Sequence, residues 1–562
     1  MDGIMSMERG AIAGGRAQFS CEPPALGPAP SNDPELPPPP AASLPLIIQG
    51  GMGVAVSSWK LAHAVSRLGQ LGVVSGTALD QILARRLEDG DPGGHMERAL
   101  RAFPFPAMAE RVWQAHYIPG GKAEGASYRR LPMLERDGPR AFRERCIVAN
   151  FCEIYLARAG HAQPVGINYL EKIQIPHLPS LYGAMLAGVG YVLMGAGIPA
   201  RIPGALDLLA QHQAAEYPLH VTGAREGDEF TVRFDPREFS ECALPPLRRP
   251  RFLAIVASNA LAAGLLKKAN GTVDGFIVEG PTAGGHNAPP RGKLQVNADG
   301  EPIYGDRDRV DLGQLRQLGL PFWLAGGYGS PEKLAEALAA GASGVQVGTP
   351  FAFCAESGIR EVHKRAVLRA VRSGGAHVST DAVASPTNFP FKVVQVADTI
   401  SDPAVYRARP RICDLGYLRE AYRGPAGELA FRCSAEPVSV YVSKGGRREE
   451  TEGKKCLCNS LVATVGHAQT RNRRHLEPGL VTAGDSLTDL RRFLPSGGGA
   501  YTAADVIAAL LAGSRSEMPL NSAGWPALSG EVGSQSAPAG EHPNSSQTAP
   551  IAVPAGGSIV AV

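Results

Sequence analysis

Eight short apolar, β-prone runs, most of them continuous, punctuate the chain: Leu46–Gln49, Gly72–Ser75, Val165–Tyr169, Tyr191–Met194, Phe252–Ala257, Gly275–Val278, Phe322–Ala325 and Val345–Val347. Runs that do not alternate with polar residues fit strands buried on both faces, as in a parallel sheet covered by helices. The connections carry helix punctuation: Ser330 can cap, Pro331 takes the first helical position, Lys333–Ala340 follows and Gly341 supplies the stop. Eight strands joined by helical crossovers predict an α/β fold, a (β/α)8 TIM barrel, with a doubly wound open sheet as the alternative.

Uneven spacing between the runs locates the decorations. A long insertion follows strand 2 and contains a predicted helix from about Arg140 to Ala159. Before strand 5, His220–Thr222 and Phe230–Phe234 flank Glu226-Gly227-Asp228 and predict a hairpin insertion. The stretch Leu181–Ile198 is apolar enough to consider as a membrane span. Gly183, Gly188, Gly190, Gly195 and Gly197 interrupt it, so a helix followed by a strand is expected instead. The domain reading is a disordered tail over 1–44, a barrel over 45–375, a C-terminal extension over 376–513 packing as a lid or cap, and a disordered tail over 514–562. The tails are too poor in large apolar residues to offset the entropy of ordering.

Composition narrows the function classes. A net charge of +3 on 562 residues gives no case for nucleic acid, and the basic cluster Arg248, Arg249, Arg251 reads as solvated surface. Nine cysteines are too sparse for a disulfide framework, and no basic segment followed by an apolar run opens the sequence; a reducing, cytoplasmic setting without membrane attachment is expected. Cys413, Cys433, Cys456 and Cys458 cluster in sequence, but Cys456-Leu457-Cys458 matches no C-x2-C ligand pair, so free thiols and no metal are expected. There is no Walker lysine motif, and no G-x-G-x-x-G follows the first strand, so no dedicated Rossmann nucleotide domain is indicated.

In such a barrel the reactive groups sit on loops beyond the strands' C-terminal ends, and a phosphate often lies at the loops after strands seven and eight. Those loops read Ala325-Gly326-Gly327-Tyr328-Gly329 and Val347-Gly348-Thr349. Glycine lets main-chain N–H groups approach an anion, Thr349 adds a hydroxyl, and the helix start at Ser330 adds a favourable dipole. Strand six ends in Glu279-Gly280-Pro281-Thr282-Ala283-Gly284-Gly285-His286-Asn287, where glycines allow the main chain near a flat ring and His286 is the candidate acid or orienting donor. Gly51-Met52-Gly53 on the first loop, Gly195-Ala196-Gly197 after strand four and Asn168 on strand three complete the ring of candidates, with Met52 a soft neighbour for a flat ligand.

Gly51-Met52-Gly53, Gly195-Ala196-Gly197, Ala283-Gly284-Gly285-His286, Ala325-Gly326-Gly327 and Val345-Gln346-Val347-Gly348-Thr349 resemble the nitronate monooxygenase (2-nitropropane dioxygenase-like) FMN barrels. Gly166–Lys172, Pro281–Gly292, Ser385–Pro390 and Cys456-Leu457-Cys458-Asn459 further resemble the PfaD-type trans-acting enoyl reductases of polyunsaturated fatty acid and polyketide synthases. The resemblance runs from about Leu46 to Asp485. It implies FMN, NADPH or NADH as reductant, and an enoyl thioester on an acyl carrier protein as substrate. It also implies His286 as the catalytic residue, with cofactor contacts from Gly51, Met52, Gly53, Asn168, Gly195, Ala283, Gly284, Gly285, Gly326, Gly327, Gly348 and Thr349. The Pro-Pro-Arg stretch after His286 and the long segment beyond Phe351 depart from the smaller nitronate-oxidising members and favour the reductase branch. Nitronate oxidation with O2 and a flavin-free scaffold subunit are the alternatives; homo-oligomerisation is left open.

Overall fold

A computed structural model describes residues 44–472, 475–496 and 499–512. The two tails expected at the ends of the chain lie outside the described residues, apart from Leu44. Eight parallel strands form one sheet: β1 (Ile47–Gln49), β2 (Gly72–Ser75), β3 (Val165–Leu170), β4 (Tyr191–Gly195), β5 (Arg251–Val256), β6 (Gly275–Glu279), β7 (Phe322–Ala325) and β8 (Gly344–Val347). Their order is β1-β8-β7-β6-β5-β4-β3-β2. The ring closes where Leu71, just ahead of β2, donates its N–H to the Ile47 carbonyl at 3.0 Å and accepts the Gln49 N–H at 2.9 Å. The expected (β/α)8 barrel is therefore present, and each predicted run falls on a strand to within a residue or so.

Alternation along the strands sorts side chains into two layers. Ile48, Val73, Leu193, Leu253, Ile277 and Trp323 fill the barrel interior. Ile47, Val74, Ile167, Val192, Phe252, Phe276, Leu324 and Val345 face outward into the larger core shared with the helices. Each large side chain so buried contributes about 1.5–3 kcal/mol. Trp323 plugs the base of the barrel, its indole N–H donating to the Pro45 carbonyl at 2.7 Å. Continuing the inward series by two residues from Gly166, Ile277 and Gly344 places Asn168, Glu279 and Gln346 at the top of the interior.

The insertion after β2 contributes the helix Arg140–Arg158, which packs against His177–Leu186. A Cβ on Gly183 would fall 2.1 Å from the Ile147 carbonyl oxygen, so a larger residue there would force the two helices apart. The hairpin before β5 pairs Ala215–Pro218 with Thr231–Phe234, which corrects the expected first arm, His220–Thr222. The register puts Ala215, Tyr217, Val232 and Phe234 together on the buried face, whereas Thr222 bridges to Tyr422 in the C-terminal segment.

The C-terminal segment is anchored through a second apolar cluster. Ala384, Phe391, Tyr417, Leu457 and Leu480 pack there with Val54, Ala78, Ile82, Phe142 and Ile173 of the barrel and its insertion. Buried ion pairs pin it internally, with Glu477 between Arg409 and Arg471, and Arg471 also on Asp414 at 2.7 Å. Cys433 and Cys456 pack with Ala435 and Cys413 as free thiols. Among the described residues no helix is long and apolar enough to cross a membrane, and no group of three or more His, Cys, Asp or Glu is placed to hold a metal.

Candidate active site

A cavity of about 270 Å³ lies over the C-terminal ends of the strands. Every residue singled out from the sequence lines it: Gly51, Met52, Gly53, Asn168, Gly195, Ala283, Gly284, Gly285, His286, Gly326, Gly327, Gly348 and Thr349. The loops gather here because the strands are parallel, so their C-terminal ends share one face. The C-terminal segment adds walls that include Phe389, Phe391, Tyr417, Leu418, Leu461, Leu480 and Ser486.

Four backbone segments converge in one corner. Gly326 and Gly327 both occupy the left-handed region, at φ +86° and +80°. A Cβ on Gly326 would lie 2.8 Å from Thr282 Oγ1, so the loops after β6 and β7 touch there. A Cβ on Gly284 would lie 2.9 Å from the Gly484 nitrogen, which donates to Thr349 Oγ1 at 2.8 Å. Gly484 caps the helical turn Asp485–Phe493, and Asp485 N–H donates to the Thr282 carbonyl at 3.0 Å. Glycine backbone and the hydroxyls of Thr282, Thr349 and Ser486 make this corner suited to an anion.

Beside it the cavity has a polar floor. Asn168 Oδ1 and Gln346 Oε1 are buried acceptors without an intramolecular partner, which is costly unless a ligand supplies donors. The floor's third polar residue, Glu279, also lines the cavity, and burial pushes its carboxyl up to about 7. Although partly exposed by surface, it looks onto a walled cavity rather than bulk water, and that enclosure raises its proton affinity.

His286 lines the same cavity, on a loop stitched to the C-terminal segment from both sides. Gly285 N–H donates to Thr482 Oγ1 at 2.9 Å. The Gly285 carbonyl accepts from Lys392 N–H, and Asn287 N–H donates to the Pro390 carbonyl, both at 2.9 Å. The imidazole Nε2 lies 2.7 Å from Ser385 Oγ, which leaves Nδ1 for the cavity. Burial, with a smaller contribution from the Lys172 charge, pushes the ring down to about 4, so it is neutral at pH 7.

Sequence reasoning missed Thr282, Gln346, Glu279, Gly484, Ser486 and Ser385. The inward period of β6 and β8 would have found Glu279 and Gln346. Gly484-Asp485-Ser486 ahead of the amphipathic run to Phe493 reads as a helix start, but nothing local brings it to the barrel mouth.

Residues 248–376 match the family model of nitronate monooxygenase. That span carries β5 to β8 with the His286, Gly326 and Gly348 loops. None of the curated proteins matches the chain. Among solved structures, FabK from Thermotoga maritima aligns at 18% identity over 84% of this chain and 93% of its own, with a TM-score of 0.41. A nitroalkane oxidase from Streptomyces ansochromogenes aligns at 16% identity over 84% and 97%, with a TM-score of 0.39. The enoyl reductase domain of MlnA from Bacillus amyloliquefaciens aligns at 12% over 82% and 90%, with a TM-score of 0.38.

Proposed function

We propose that this protein is an FMN-dependent enoyl reductase that acts in trans on enoyl thioesters carried by an acyl carrier protein, with NAD(P)H as reductant. The observation that carries the reading is one cavity lined by an anion corner, by unpaired acceptors along its floor and by an anchored neutral imidazole. Those features fit FMN. Gly326, Gly327, Gly348, Thr349 and Ser486 would hold the phosphate, while Asn168 and Gln346 have acceptors that the flat ring or the ribityl chain could satisfy. Positions 51, 284 and 484 lack a Cβ, and one at any of them would strike a neighbour within 3 Å.

When bound, FMN supplies the hydride chemistry between nicotinamide and substrate. His286, neutral and fixed at Nε2, holds a hydrogen-bonding or proton-transferring nitrogen at the cavity for the thioester oxygen or the α-carbon. Such general acid–base help is worth about 10²–10⁴ in rate. Apolar side chains of Val54, Ile173, Leu418, Leu461 and Leu480 offer room for an acyl chain. The C-terminal segment acts as the lid that excludes water.

Nitronate oxidation is the second reading, favoured by the family model matching residues 248–376. One preparation separates the two. The purified protein is reduced anaerobically with NADPH and given a crotonyl carrier protein; reoxidation of the flavin absorbance supports the reductase. Oxygen uptake with propionate 3-nitronate and no NADPH selects the alternative, and a preparation that takes up no flavin overturns both. His286→Ala should keep the flavin and lose at least about 100-fold in turnover.

A further inference from the structure

The loop Ser385-Pro386-Thr387-Asn388-Phe389-Pro390 is built around His286. Ser385 is fully buried. Its Oγ lies 2.7 Å from His286 Nε2 and 2.8 Å from Thr387 Oγ1, and it accepts the Thr387 backbone N–H at 3.2 Å. Buried Lys454 clamps the turn from behind, its ammonium donating to the Ser385 carbonyl at 2.9 Å and to Asn388 Oδ1 at 2.7 Å. The rings of Phe389 and Phe391 stand edge-on to the imidazole, with centroids at 6.4 and 4.8 Å.

Counting protons shows what this arrangement permits. A serine hydroxyl has one proton and two lone pairs. One lone pair takes the Thr387 N–H, so the proton and the other lone pair are divided between His286 Nε2 and Thr387 Oγ1. In one arrangement Ser385 donates to Nε2 and accepts from Thr387, and His286 carries its proton on Nδ1. In the other, Nε2–H donates to Ser385 and Ser385 donates to Thr387, leaving a lone pair on Nδ1. Both satisfy every partner with the ring in the same place.

We propose that Ser385 is a positioning residue that anchors His286 in either neutral tautomer, with Thr387 compensating, so that Nδ1 can give or receive a proton at the cavity without the ring moving. The inference rests on the proposed role of His286. When Nδ1 gives up its proton to the ligand, Nε2 receives the Ser385 proton and Ser385 receives that of Thr387. Thr387 is only partly buried and is refilled from water. No electrons move along this path, and reception of a proton at Nδ1 runs it backwards. The ring thus avoids the imidazolium form, which its burial opposes.

The test uses the full-length flavin-loaded protein with 15N-labelled histidine. Thr387→Val keeps the backbone N–H but leaves Nε2 as the acceptor for the Ser385 proton, so His286 should move toward the Nδ1–H tautomer, read from its ring-nitrogen shifts. Ser385→Ala should lower kcat about 10-fold, change KM by less than about 3-fold, and leave the flavin bound. Ser385→Thr should recover most of the loss. Wild-type tautomer populations in Thr387→Val overturn the inference. So does full turnover in Ser385→Ala while His286→Ala is inactive. If His286→Ala itself turns over normally, the role of His286 fails, and the tautomer measurement still decides the anchoring by Ser385. Should Ser385→Ala not fold, the Thr387→Val spectrum carries the decision.

Discussion

Glu279 gives the sharpest physical test of the cavity. Burial raises its carboxyl from an ordinary 4.5 to about 7, so the folded protein binds this proton more tightly than the unfolded chain. Each tenfold difference in proton affinity is worth about 1.4 kcal/mol, which sets a ceiling of about 3 kcal/mol. Water entering the open side of the cavity returns part of this, leaving about 1–3 kcal/mol. The sign follows from which state ionises first. The contribution is fully present below about pH 4.5, fades as the unfolded chain ionises, and is lost once the pH passes about 7. Glu279→Gln cannot ionise. Relative to wild type, its stability to urea should therefore rise between pH 4.5 and pH 8 by that amount, with the two proteins running parallel above pH 8. Paired urea titrations of flavin-free protein across this range provide the assay. A difference that stays constant with pH would refute the claim that Glu279 looks into an enclosed space, and with it the placement of the polar floor.

Two further outcomes follow from the packing. Gly484→Val puts a side chain where a Cβ already lies 2.7 Å from the Thr282 carbonyl; flavin affinity by fluorescence titration should fall about 10-fold or more, equivalent to about 1–3 kcal/mol of forced displacement. Glu477→Ala strands the nearly buried guanidinium of Arg409 and takes from Arg471 one of its two carboxylates, leaving Asp414, and should cost about 3–5 kcal/mol in thermal or urea unfolding.

How much of this could be read in advance depended on the range of the forces involved. The eight strands were legible because burial on both faces imposes continuous apolar runs, and the helix at Pro331 because Ser330 caps it locally, accepting from Lys333 N–H at 3.2 Å. The hairpin arm Ala215–Pro218 was missed because Glu216 and Pro218 break its apolar signal, and its pairing partner lies beyond a long loop. The glycine and histidine loops could be singled out from their residue types alone, and the structure brings them to one cavity. Ser385 and Gly484 serve other residues, His286 at a separation of 99 positions and Thr349 at 135. No local pattern encodes such pairings.

That difference bears on what the C-terminal segment contributes. The strand order alone suffices to bring Gly326 and Gly348 together, since β7 and β8 are neighbours. It does not orient the imidazole: the Nε2 contact comes from Ser385, and the adjoining backbone is held by Thr482, Pro390 and Lys392. A barrel that ended after β8 and its helix would keep Gly326, Gly327 and Gly348 of the anion corner but lose Gly484 and every one of these contacts to the His286 loop. A histidine loop left without them would sample many orientations, and positional error of about 1 Å in a reacting group can cost about 100-fold in rate. The C-terminal segment therefore holds the His286 loop as well as lining the cavity, which is why substitutions at Ser385 and Thr387 should be read out on His286 itself.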